Sequence, residues 1–81
     1  SRPRPPDSRL SYKEQQELQT LPARIEQFEA ELAQGQAALA DPSFYQRSGA
    51  EIAALRERLH SLETELNQAY ERWEALEARR G

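Results

Sequence analysis

The chain predicts an all-α protein, an antiparallel two-helix coiled-coil hairpin with a short extra N-terminal helix packed at its open end. Three observations carry that reading. Ala, Glu, Lys, Leu and Arg account for 45 of the 81 residues, the composition of long helices and coiled coils. Apolar side chains recur in two runs with alternating steps of three and four, the spacing of a coiled-coil seam. A turn-sized segment joins the runs, which favours a hairpin within one chain and a monomeric domain.

Residues 1–10 read as a flexible basic linker. They hold Pro3, Pro5 and Pro6, and proline fixes φ while removing a backbone donor. Ser11-Tyr12-Lys13-Glu14 is a capping box, in which the serine and glutamate satisfy each other's free N–H groups. It opens a short helix over about 12–20. Pro22 lacks the N–H needed inside a helix and clashes with the carbonyl four residues back, so a kink or break is expected near Thr20–Leu21. A longer helix follows over about 22–40.

Asp41-Pro42-Ser43-Phe44-Tyr45 stops that helix, and residues 41–48 form the loop. Ser48-Gly49-Ala50-Glu51 is a second capping box. The last helix should run over about 49–79, roughly 45 Å at ~1.5 Å per residue. The whole ordered unit is thus 11–79.

The first seam is Leu18, Leu21, Ile25, Phe28, Leu32, Gly35, Leu39. The second is Ile52, Leu55, Leu59, Leu62, Leu66, Ala69, Trp73, Leu76. Their relative register can be argued from charge. If facing residues have numbers summing to 94, the flanks oppose Arg24 to Arg72, Glu31 to Glu65 and Glu29 to Glu63, all repulsive. If they sum to 87, the flanks become Glu17–Arg72, Arg24–Glu65, Glu31–Arg58 and Glu29–Arg56, all attractive. Each exposed pair contributes only a few tenths of a kcal/mol, but together such pairs can select a register. The expectation is therefore the 87 register, with layers such as Leu32–Leu55 and Ile25–Leu62. Trp73 and Leu76 then have no seam partner and need cover from Leu10, Tyr12 or the short first helix. Gly35 reads as a thin spot in the seam.

Enzymatic chemistry finds no support. His60, the single histidine, falls on an outward heptad position, and a general base needs partners and partial burial. The carboxylates are scattered along helix flanks, and no glycine-rich phosphate loop is present. No catalytic residue, metal site or cofactor is expected. With no cysteine, disulfide scaffolds and cysteine-containing zinc sites are excluded. No apolar run approaches the ~20 residues of a membrane helix. The absence of an initiator Met points to a piece of a longer protein.

The net charge of −3 conceals an uneven distribution. Residues 1–13 carry +3, residues 14–78 carry −8, and Arg79 and Arg80 add +2. A hairpin brings the two basic ends together at one end of an acidic rod. Clustered cations there would gain affinity for a phosphate backbone by counterion release, without reading sequence. The candidate nucleic-acid contacts are Arg2, Arg4, Arg9, Lys13, Arg79 and Arg80, taken as cations uncommitted to glutamates. At the tip, Phe44 and Tyr45, beside Arg47, either cap the seam or offer an aromatic contact.

The motifs Ser11-Tyr12-Lys13-x-Gln15-x-Glu17-Leu18-x-x-Leu21-Pro22, Asp41-x-x-Phe44-Tyr45 and Ala69-Tyr70-Glu71-Arg72-Trp73-Glu74-x-Leu76-Glu77 resemble the C-terminal domain of Uup-type ABC-F ATPases. The resemblance spans about residues 9–78. It implies a cytoplasmic bacterial parent with two upstream ATP-binding cassettes, ATP and Mg confined to that part, and no membrane domain. In that family the coiled-coil domain contributes to DNA binding, including branched DNA. Related ABC-F proteins act on ribosomes, so a ribosome or RNA contact, or a spacer role orienting the cassettes, is the second implication. The acidic rod departs from any picture of DNA lying along it, so the expected contact is the basic end.

Overall fold

A computed structural model describes residues 10–80. It forms a helical hairpin of two long helices, α1 (Tyr12–Ala40) and α2 (Gly49–Arg79), joined through a single 3₁₀ segment at Pro42–Gln46. The predicted hairpin class holds. The linker expected over residues 1–10 lies, apart from Leu10, outside the described residues.

Both serine caps form where the sequence places them. The Ser11 hydroxyl accepts from the Glu14 N–H at 3.1 Å, and the Ser11 N–H donates to Glu14 Oε1 at 2.9 Å. Ser48 accepts from the Glu51 N–H at 3.2 Å, but its hydroxyl, rather than its N–H, reaches the Glu51 carboxylate. Between the helices, the Asp41 carboxylate accepts from both the N–H and the hydroxyl of Ser43 at 3.0 Å. Pro42 occupies the first 3₁₀ turn, where its missing donor costs nothing.

The expected break at Pro22 does not occur. α1 runs unbroken from Tyr12 to Ala40 with Pro22 inside it, so residues 12–20 are the first turns of a long helix and not a separate element. A proline in a helix interior costs about 3 kcal/mol. Leu18, Leu21 and Ile25, which bracket Pro22, are all buried. Each such burial is worth about 1.5–3 kcal/mol, enough to hold the helix together across the defect.

The register is the larger correction. A Cβ on Gly35 would overlap the Leu59 side chain, with Leu59 Cγ only 3.1 Å away. Their numbers sum to 94. In the 87 register Leu59 would lie seven residues further along, about 10.5 Å away. The Tyr70 hydroxyl donates to Glu29 Oε2 at 2.5 Å. That pair is five residues from level in the 94 register, about 7.5 Å, but twelve from level, about 18 Å, in the other. The buried cluster agrees: Leu18, Leu21 and Ile25 pack with Ala69 and Leu76, and Leu10, Phe28, Leu66 and Trp73 lie against them.

Size matching explains the outcome. Summing to 94 sets Gly35 against Leu59 and Ala69 against Ile25, small against large, as interdigitated packing requires. It also gives Trp73 and Leu76 the seam partners that the charge argument denied them, Leu21 and Leu18. Leu76 becomes fully buried, at 0% exposure. Leu10 joins this end of the core, whereas Tyr12 stays out in solvent.

Candidate nucleic-acid interface

Only the open end of the hairpin gathers residues from both chain termini. Glu14, in the first turn of α1, receives both terminal nitrogens of Arg79 from the last turn of α2, at 2.8 and 3.1 Å. The Arg79 hydrogen bonds, followed by the Ser11 N–H, hold the Glu14 carboxyl at about 2, well below its ordinary 4.5. A paired, forked guanidinium is the strongest common ion-pair geometry. Here it also pins the termini of the two helices to each other.

One turn inward, Arg72 donates two hydrogen bonds to Glu17, at 2.8 and 3.0 Å, and lies 3.8 Å from Glu14. These bonds lower the Glu17 carboxyl and raise Arg72. Arg80 pairs with Glu77 at 3.2 Å and remains largely exposed. Lys13 is exposed and makes no ion pair among the described residues.

The structure thus brings Lys13, Arg79 and Arg80 to one end, as expected, but corrects their status. Arg79 and Arg80 are committed to carboxylates. Arg2, Arg4 and Arg9 lie outside the described residues. The sequence argument missed the Glu14–Arg79 pair because the 87 register placed Trp73, and not Arg79, near the level of Glu14; Arg80 and Glu77 lie three residues apart on α2, a pairing that no register decides.

Beside these cations lies a groove of about 560 Å³, whose apolar wall comprises Leu10, Leu18, Pro22 and Trp73. Gln15, Gln19, Glu77, Arg79 and Arg80 complete it. Sequence reasoning did not find it, since it exists only where Trp73 stands beside Pro22. Pairing small seam residues with large ones would have given that register.

The tip residues fold back on the hairpin. Tyr45 donates its hydroxyl to the Leu39 carbonyl at 2.7 Å, satisfying one of the free carbonyls at the end of α1. Its ring meets Phe44 edge-on at 5.8 Å. Arg47 lies 5.6 Å above the Phe44 ring and pairs with Glu51 at 3.2 Å. Along the rod, Arg58 bonds Glu31 at 2.9 Å. Arg24 lies over Phe28, and Arg56 has no ion pair among the described residues. His60 is exposed. Among the described residues no group of three or more His, Cys, Asp or Glu could hold a metal ion. No helix among them is long and apolar enough to cross a membrane.

Comparison with known proteins decides the family. The family model for the ABC transporter C-terminal domain matches residues 9–78. The chain belongs to that family. Relatives include two from Haemophilus influenzae, an ATP-binding protein Uup-like and an ATP-binding protein Uup. Each is 40% identical over 77 residues, covering 95% of this chain and 17% and 12% of the relative. The ATP-binding protein Uup of Escherichia coli is 44% identical over 71 residues, covering 88% of this chain and 11% of its own length. The chain is a C-terminal domain of the Uup type of ABC-F protein, and it spans under a fifth of the length of these relatives. No solved structure matches it.

Proposed function

We propose that this domain is a non-enzymatic nucleic-acid-binding module, attached to a cytoplasmic ATP-hydrolysing ABC-F protein, that contacts DNA with the open end of its hairpin. The observation that carries the reading is the Glu14–Arg79 clasp. It joins the two helix ends, so Lys13 and Arg80 belong to one end of an otherwise acidic rod. Such a contact is made to phosphates, independent of sequence and steeply salt-dependent. Affinity is weak, because Arg79 and Arg80 must share their charge with Glu14 and Glu77.

The test is a titration of the 81-residue chain with duplex and branched DNA across a salt series. Replacing Arg2, Arg4, Arg9, Lys13, Arg79 and Arg80 by Gln should abolish binding at low salt. Survival of binding, with loss instead on changing Arg47, Arg56 and Arg58, would refute the open-end contact.

A second reading, contact with the ribosome or with a protein partner through the tip, is favoured by Tyr45, whose ring stays 46% exposed beside Phe44. Under it, Tyr45→Ala would weaken the partner contact and leave DNA binding unchanged.

A further inference from the structure

We infer that the groove beside Trp73 is a seat for an unpaired base, so that the open end favours single-stranded segments over continuous duplex. The inference rests on the phosphate-binding reading above and adds a preference that phosphate contact alone cannot supply.

The first support is composition. Trp73, Pro22, Leu10 and Leu18 supply the groove's apolar lining. Bases gain affinity on such surfaces through their π-faces, whatever their identity. The second is the polar rim. Gln15 donates to the Leu10 carbonyl at 3.3 Å, which leaves its other amide hydrogen and its oxygen available. Gln19 is exposed and commits its amide to no partner among the described residues. An amide offers both donors and an acceptor, so it can meet the edge of any base. A duplex keeps those edges paired and its faces stacked.

Charge supplies the third. The groove opens at the one end of the rod where cations gather, with Arg79 and Arg80 in its wall and Lys13 on the same end. A strand whose phosphates follow the groove's own cations, Arg79 and Arg80, lays its bases beside Trp73. Glu77, also in the wall, repels phosphate and favours a neutral base within the groove. A volume of about 560 Å³ falls within the ~300–1,000 Å³ of ordinary ligand pockets.

The chain contains a single tryptophan, so its fluorescence reports on the groove directly. The 81-residue chain should be titrated with a single-stranded oligodeoxynucleotide, an abasic oligonucleotide of equal length and charge, and a blunt duplex. The base-bearing strand should quench Trp73 and bind about fivefold or more tighter than the abasic one. Trp73→Leu should erase that preference. Because Trp73 also belongs to the seam, Gln19→Glu serves as a second variant: it lies outside the seam, places a carboxylate at the rim, and should also erase the preference while helicity is unchanged. Equal binding of base-bearing and abasic strands without quenching overturns the base seat and leaves phosphate contact standing. Absence of binding by all three at low salt overturns both. Quenching by the ATP-binding part of a parent protein, with none by the single strand, assigns the groove to protein docking and also overturns the proposal.

Discussion

Replacing Gly35 by Ala is the sharpest test of the seam. In an exposed helix interior this change stabilises by about 1 kcal/mol, because alanine loses less backbone entropy. At Gly35 the new methyl would overlap Leu59, whose Cγ and Cδ1 would stand at 3.1 and 3.3 Å. Leu59 is itself buried, so its side chain can move only by displacing other seam residues. Overpacking of this kind costs about 1–3 kcal/mol. The net effect is a destabilisation of about 0–2 kcal/mol, or a melting midpoint lower by as much as roughly 10 °C for a domain this small.

Gly49 provides the control, since a Cβ there meets nothing within 4 Å. Gly49→Ala should leave the midpoint unchanged or raise it. Thermal unfolding followed by circular dichroism separates the two. An equal rise in both variants would show that Leu59 does not occupy the space above Gly35, and the register would fall with it. Cross-linking gives an independent reading, because the chain has no native cysteine. Leu32→Cys with Leu62→Cys should oxidise to an intramolecular disulfide. Leu32→Cys with Leu55→Cys is displaced by about 10.5 Å and should not.

Three further outcomes are expected. Glu14 is held at about 2 in the folded chain, against an ordinary 4.5, so its contribution is complete above pH 4.5 and is lost as pH falls toward 2. The melting midpoint should drop through that window, and the drop should be shallower in Glu14→Gln. Tyr45→Phe removes the bond to the Leu39 carbonyl; it should destabilise by about 0.5–1 kcal/mol in urea unfolding without changing the helix content of the folded state. Glu77→Gln releases Arg80 from its carboxylate partner among the described residues; DNA affinity should rise, and the slope of log affinity against log salt should steepen by up to about 0.9.

Much of the fold was legible because its signals are local. Ser11 with Glu14 and Ser48 with Glu51 mark both helix starts, and the heptad steps give both seams. Pro22 misled because propensity weighs one residue, whereas the helix is held by Leu18, Leu21 and Ile25 on either side of it. The candidate site was legible in part: the meeting of Lys13 with Arg79 and Arg80 follows from any hairpin. Their pairing with Glu14 and Glu77 does not, nor does the groove at Trp73, since each depends on register or on the choice among nearby rotamers.

Charge failed to set the register for a reason the distances make plain. Full burial of Leu76 and the seating of Trp73 are worth several kcal/mol at about 1.5–3 each, against a few tenths for each exposed ion pair. The repulsions expected of the 94 register are also avoidable. Arg72 and Arg58 each reach Glu17 and Glu31 across the same offset of about 7.5 Å along the axis, and both bonds form at 2.8–2.9 Å. Those two pairs were expected from the 87 register as well, so their formation cannot distinguish the two. Arg24, another flank cation of that set, lies over the Phe28 ring. Long side chains can relieve a charge conflict by bending, but a missing methyl at Gly35 can be matched only by the residue standing opposite. The small residues of the seam therefore fix which side chains face one another at the open end, the Glu14–Arg79 pair among them.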